Sequence, residues 1–97
     1  MIYHITERVN MQSIKQNGLI RQNSAFICLC EHFESWIDMF KNPVIFMVDI
    51  NSFMKDNPSV NVTTWIPESD EICVWGDIPQ RYIKIMDFIK LIANESS

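Results

Sequence analysis

The stretch MIYHITER places a histidine, His4, inside the first apolar run of the chain, with Thr6 two residues later. Residues i and i+2 of an extended strand share a face, so His4 and Thr6 are expected to point the same way. A neutral imidazole donates one hydrogen bond and accepts another, which suits a ribose diol or an amide. A histidine on a strand is also commonly a satisfied structural residue. This run by itself leaves both interpretations open.

A second set of chemically capable residues is the acidic group Glu68, Asp70 and Glu71, which precedes the apolar run ICVW. A carboxylate held in a water-poor cleft stabilises positive charge that develops in a transition state. The same residues also fit a solvated strand start, and no metal-loop spacing supports a cation site. Trp65 and Trp75 flank the group, and their large apolar area favours core packing over stacking on a base.

The three cysteines of the chain offer a possible metal site. Cys28, Cys30 and His32 alternate and would share one face of a continued strand, with Cys73 as a fourth ligand. The spacing differs from the usual pairs of zinc ligands, and buried cysteine commonly behaves as a small hydrophobe. An odd number of cysteines behind a start with no secretory signal indicates reduced thiols. We therefore expect no metal site.

Composition limits the classes of function. The chain has 97 residues, 47% of them hydrophobic, which predicts a single compact domain over residues 1–97. A net charge of -4 gives no broad basic surface for a nucleic acid backbone, although a local pocket for one nucleotide stays possible. No apolar run approaches the roughly 20 residues that cross a bilayer. We expect a cytoplasmic protein with no membrane contact.

The elements that must position these residues follow from short patterns. The stretch IYHIT predicts a strand, and Asn10 is placed to cap a helix that ends at Gly18. SAFICLC and VIFMVDI predict buried strands, and VNVTTW, ICVW and RYIKI predict three more. An i, i+3, i+4, i+7 pattern predicts a helical face that packs on the core, formed by Phe33, Trp36, Ile37 and Phe40. The chain is therefore expected to be a mixed α+β domain.

Two blocks together resemble a known superfamily. The first, over residues 2–20, is Y-H-x-T on a strand followed by a short helix that ends in Gly-Leu. The second, over residues 68–85, is a polar loop followed by EICV, an Ile-Pro pair and a closing strand. This combination resembles the ADP-ribosyltransferase superfamily. The likeness is nearest to the DarT-like DNA ADP-ribosyltransferases and more distant to the RNA 2'-phosphotransferases.

The resemblance implies a fold and a site. It implies a small, split, mostly antiparallel β-sheet with two or three short helices, and a cleft that binds NAD as the substrate. His4 would contact the ribose on the nicotinamide side, with Thr6 and Tyr3 assisting NAD binding. Glu71 would be the catalytic residue, which orients a ribose hydroxyl and supports an oxocarbenium-like transition state. The sequence departs from the family where an aromatic or Ser/Thr-rich segment usually holds the nicotinamide: that segment is FICLCEHF here, and Phe26, Phe33 and Trp36 are the aromatic side chains available to substitute.

Two classes of function fit these expectations. The first is an NAD-using ADP-ribosyltransferase that modifies an unknown protein or nucleic acid, or a relative that hydrolyses NAD. The second is a catalytically inactive binding protein on the same fold, such as a small acidic inhibitor or a toxin-system component. Its acidic surface would contact a basic protein partner through complementary charge.

Overall fold

Six antiparallel strands form one sheet in a computed structural model, which describes residues 2–22, 24–64 and 70–86. The order across the sheet is β4-β5-β2-β1-β3-β6. The strands are β1 (Ile2–Glu7), β2 (Ile27–Cys30), β3 (Pro43–Val48), β4 (Val62–Thr64), β5 (Glu71–Val74) and β6 (Ile83–Ile85). Two α-helices, α1 (Met11–Asn17) and α2 (Ile50–Asp56), and four 3₁₀ turns complete the described residues. The predicted small α+β fold is confirmed.

The centre of the sheet is split. Strand β1 pairs with β3 along its whole length, from Ile2 opposite Val48 to Glu7 opposite Pro43. On its other side β1 pairs with β2 only where Tyr3 lies opposite Cys30. An unbroken antiparallel ladder would continue from this pair. Beyond this pair β1 and β2 form no further ladder pair within the described residues, and we call this unpaired stretch the gap between the two halves of the sheet.

Each face of the sheet has its own core cluster. The first face carries α1 and α2 and buries the larger cluster, which includes Ile14, Leu29, Phe46, Phe53 and Val74. The second face carries the segment after β2 and buries a smaller cluster around Cys30, Phe33 and Ile45. Strand residues alternate between the two faces. Which face a side chain reaches therefore depends on its register in the sheet.

The predicted helical face after β2 has the right burial but the wrong backbone. Two 3₁₀ turns, Phe33–Ser35 and Ile37–Met39, replace a continuous helix. The Asp70 carboxylate accepts hydrogen bonds from the His32 amide at 2.9 Å and from Trp36 Nε1 at 3.0 Å. The Glu7 carboxylate accepts from the next turn, at the amides of Lys41 and Asn42. These carboxylates hold the segment between β2 and β3 near both of its ends. The segment therefore stays against the sheet and does not form a continuous helix.

Helix α1 ends as predicted at Gly18, where the backbone has φ +78°. The Gly18 amide donates to the Ile14 carbonyl at 2.8 Å, and Leu19 exchanges two backbone hydrogen bonds with Ile78. A Cβ at Gly18 would clash with the Ile78 carbonyl oxygen. The start of α1 differs from the prediction, because the Asn10 side chain makes no capping hydrogen bond. Asn10 Nδ2 donates instead to Thr6 Oγ1 at 2.9 Å.

Replacing Gly18 by alanine should lower the free energy of unfolding by at least about 2 kcal/mol. A backbone region that only glycine adopts readily costs other residues about 1–3 kcal/mol, and the clash with Ile78 adds to this cost. The control is Gly76→Ala, whose new Cβ would meet the side-chain methyl of Val60 at 2.9 Å. Urea denaturation should show the smaller loss for Gly76→Ala, and an equal or reversed order would contradict this account.

Candidate active site

The His4 ring is held in the gap between β1 and β2. Its Nδ1 lies 2.9 Å from the carbonyl oxygen of Cys28. A carbonyl oxygen can only accept, so Nδ1 carries the proton and Nε2 of the neutral ring is an acceptor. Burial lowers the pKa of His4, and the hydrogen bond to Cys28 opposes this only in part. His4 therefore presents one defined acceptor near neutral pH.

A cavity of about 360 Å³ lies beside His4 on the helix-bearing face. Its walls come from the end of β1, from α1 and from the segment that leads into β2. The polar and aromatic side chains around it include Thr6, Asn10, Arg21 and Phe26. The structure thus brings His4 and Thr6 to one cavity, as their spacing predicts. Thr6 Oγ1 already accepts the hydrogen bond from Asn10.

Glu71 and Tyr3 lie on the other face of the sheet. Cys30 is opposite Tyr3 on one side and opposite Glu71 on the other, so these three side chains share a face. A smaller cavity of about 100 Å³ lies there, with Tyr3, Ile5, Trp36, Phe40 and Glu71 in its walls. The predicted site residues therefore form two pairs, His4 with Thr6 and Tyr3 with Glu71. Strand alternation directs the two pairs to opposite faces.

Cys28 connects the two pairs. Its carbonyl oxygen holds the His4 ring, its thiol is hydrogen-bonded to Glu71, and it lines both cavities. Partial burial raises the pKa of the Cys28 thiol to about 12, and the hydrogen bond and negative charge of Glu71 add to the shift. The sequence suggested Cys28 only as a metal ligand or a small core residue. Its central position depends on the pairing of β1 with β2, which no local pattern reveals.

The other candidates have structural partners. Phe33 packs edge-on against Tyr3 with ring centroids 5.0 Å apart. Trp75, which was expected in the core, is exposed instead; it packs on Phe26, also at 5.0 Å, and donates from Nε1 to Thr63 Oγ1. Trp65 and Glu68 lie outside the described residues. Within residues 2–22, 24–64 and 70–86, no three histidine, cysteine or acidic side chains are grouped to hold a metal ion.

Comparison with known proteins adds no family assignment. No family model matches the chain, and no curated protein matches it. Among the helices of the described residues, none is long and apolar enough to cross a membrane.

The burial of His4 predicts a loss of stability in acid. Its pKa in the folded protein is below the unfolded value of 6.5, so the unfolded chain binds the proton first as pH falls. The stabilising contribution is present above about pH 6.5 and is lost as pH falls through the folded pKa. Urea denaturation from about pH 8 to about pH 5 should show a steeper fall for the wild type than for His4→Asn. The control is His32→Asn, which removes the other imidazole; the same flattening there would contradict the assignment to His4.

The raised pKa of Cys28 predicts slow alkylation of an exposed thiol. Only the thiolate reacts, and it is scarce near neutral pH. Glu71→Gln removes a negative charge beside the sulfur, so the alkylation rate of Cys28 by iodoacetamide should rise several-fold. Peptide mass spectrometry measures the rate at Cys28 alone, with Glu31→Gln as an exposed carboxylate control. An unchanged rate in Glu71→Gln would show that the two side chains are not neighbours.

Proposed function

We propose that the chain binds NAD across the split between β1 and β2 and transfers its ADP-ribose to a macromolecular acceptor or to water. One observation carries this proposal. Cys28 borders both cavities, holding His4 through its carbonyl oxygen and contacting Glu71 through its thiol. A ligand that passes through the gap at Cys28 would therefore meet both residues, although they lie on opposite faces.

The smaller cavity suits the nicotinamide end of NAD. Its walls include three aromatic side chains, from Tyr3, Trp36 and Phe40. The nicotinamide ring of oxidised NAD is a flat cation, and aromatic faces attract such rings. The cavity, at about 100 Å³, is smaller than the roughly 150 Å³ cavity known to hold a benzene ring, so it would receive the nicotinamide ring only in part. Trp36 is fixed there because its Nε1 donates to Asp70.

The larger cavity suits the rest of the ligand. Its volume of about 360 Å³ falls within the range of about 300–1,000 Å³ typical of ligand pockets. His4 Nε2 would accept a hydrogen bond from a ribose hydroxyl, because the Cys28 carbonyl places the ring proton on Nδ1 and burial, which lowers the pKa of His4, favours the neutral ring. Arg21 on the wall would offer its guanidinium to the diphosphate. Asp77 Oδ1 lies 3.5 Å from Arg21 Nε and partly neutralises the charge of the guanidinium.

The proposed reaction breaks the bond between the ribose C1' and the nicotinamide nitrogen. The bonding electron pair leaves with nicotinamide, which becomes neutral, and positive charge develops on the ribose. The Glu71 carboxylate stabilises that charge more in the transition state than in the bound substrate. An acceptor nucleophile or water then attacks C1' and loses a proton.

Nicotinamide release by the purified wild type and by Glu71→Gln tests this proposal. The nearly isosteric change should slow release roughly 100- to 1,000-fold, as loss of one electrostatic group commonly does. NAD affinity, measured by calorimetry, should stay within a few-fold because the cavities are unaltered. Glu31→Gln is the matched control and should release nicotinamide at the wild-type rate. Equal rates for wild type and Glu71→Gln would overturn the role of Glu71.

A catalytically inactive binding protein is the second candidate, and the opposite strand faces of His4 and Glu71 favour it. In that case His4 and Glu71 only stabilise the fold, and the contacts with a partner protein lie elsewhere on the surface. It predicts no NAD binding at millimolar concentration and no nicotinamide release with any added protein, DNA or RNA. Binding without release would instead support a site that awaits its acceptor.

A further inference from the structure

Cys28 and Cys73 form a pair that the proposed reaction does not use. They lie directly opposite each other on the adjacent strands β2 and β5. Both belong to the face that carries Glu71, and each thiol affects the pKa of the other. Cys30 shares this face, but Glu71 is the residue opposite it. The register thus selects one cysteine pair among the three cysteines.

The spacing of this pair suits a cross-strand disulfide under some strain. Opposite residues of an antiparallel ladder have Cα atoms about 4.5 or 5.5 Å apart, inside the range of about 4.4–6.8 Å found for disulfides. Their Cβ atoms, at about 4.5–5.5 Å, are slightly farther apart than the roughly 3.5–4.5 Å that a disulfide requires. The strands must therefore draw together, and strained disulfides are readily reduced.

Access differs between the two thiols. Cys28 is exposed, whereas Cys73 is 0% exposed. A reagent in solution would therefore react first at Cys28. Cys73 then stands beside the modified sulfur as a resolving thiol, which is the arrangement that converts a mixed disulfide into an internal one.

We propose that Cys28 and Cys73 are a reversible redox site that closes to a disulfide on exchange with a low-molecular-weight disulfide such as oxidised glutathione. The Cys28 thiolate attacks one sulfur of the reagent, forms a mixed disulfide and releases one glutathione thiolate. Cys73 loses its proton, attacks the Cys28 sulfur and releases the second glutathione thiolate. Two electrons pass from the protein thiols to the reagent, whose two sulfurs leave as thiols.

The surroundings of Cys28 and Cys73 set the rate of thiol–disulfide exchange at this pair. Burial is the largest cause of the raised pKa of both thiols, and Glu71 adds to it in each case. Exchange should therefore be slow near neutral pH, accelerate as pH rises and accelerate again in Glu71→Gln. Closure also removes the Cys28 thiol from Glu71 and draws β2 toward β5. If NAD binds as proposed above, the oxidised protein should bind it more weakly.

Oxidised glutathione, applied at about pH 7 and about pH 9, tests the pair without reference to NAD. Remaining thiols are alkylated in denaturant, and intact and peptide masses are measured. Apart from the alkyl group that Cys30 of the wild type gains, wild type and Cys30→Ala should each be two hydrogens lighter than the reduced protein, with a peptide that joins Cys28 to Cys73. Cys73→Ala should stop at one bound glutathione on Cys28. Circular dichroism verifies that each alanine variant is folded, and Cys73→Val replaces Cys73→Ala if the latter is not.

Three results would overturn the proposal. The first is a crosslink from Cys28 to Cys30 in place of Cys73. The second is a wild type that keeps its bound glutathione unresolved while Cys73→Ala is equally modified. The third is a folded Cys73 variant in which Cys28 takes up no glutathione at about pH 9. All three are read by mass, so they are independent of whether the protein binds NAD.

Discussion

The missing pairing between β1 and β2 is the constraint on which the rest of the site depends. With Tyr3 opposite Cys30, an unbroken ladder would place Ile5 opposite Cys28, but β1 and β2 separate there. A backbone carbonyl that loses its partner inside a protein must find another. The Cys28 carbonyl finds it in the His4 ring, which fixes the tautomer of the imidazole. The missing strand pairing therefore leaves the gap, and the hydrogen bond that replaces it orients His4 and places the acceptor atom Nε2 beside the larger cavity.

The two faces of the sheet then divide the candidate site residues between them. The helix-bearing face holds the polar cavity with His4 and Thr6, and the other face holds the aromatic cavity with Glu71. Two carboxylates outside the cavities support the second face: Asp70 binds Trp36 and the His32 amide, and Glu7 binds the turn before β3. Asp70 and Glu71 are neighbours in sequence, yet one orders the wall of a cavity and the other supplies charge within it.

Much of the fold could be predicted because its signals are local. The β-branched runs of β1 and β3 and the glycine that ends α1 needed only a few neighbouring residues. The 3₁₀ turns over 33–39 could not be predicted, since their spacing also fits a helix and the anchoring Asp70 is distant in sequence. The placement of His4 and Glu71 on opposite faces was equally hidden. A shift of one residue in register moves every side chain of a strand to the other face, and register is a tertiary property.

The split also has a mechanical meaning. Within the described residues, the half-sheet of β6, β3 and β1 is joined to the half-sheet of β2, β5 and β4 through a single strand pair, Tyr3 with Cys30. Each half is internally paired along its strands. Twisting one half against the other would disturb few ladder hydrogen bonds, but it would shear the core cluster to which both halves contribute side chains, among them Phe46 and Leu29. The angle between the two halves is therefore set by side-chain packing more than by strand pairing.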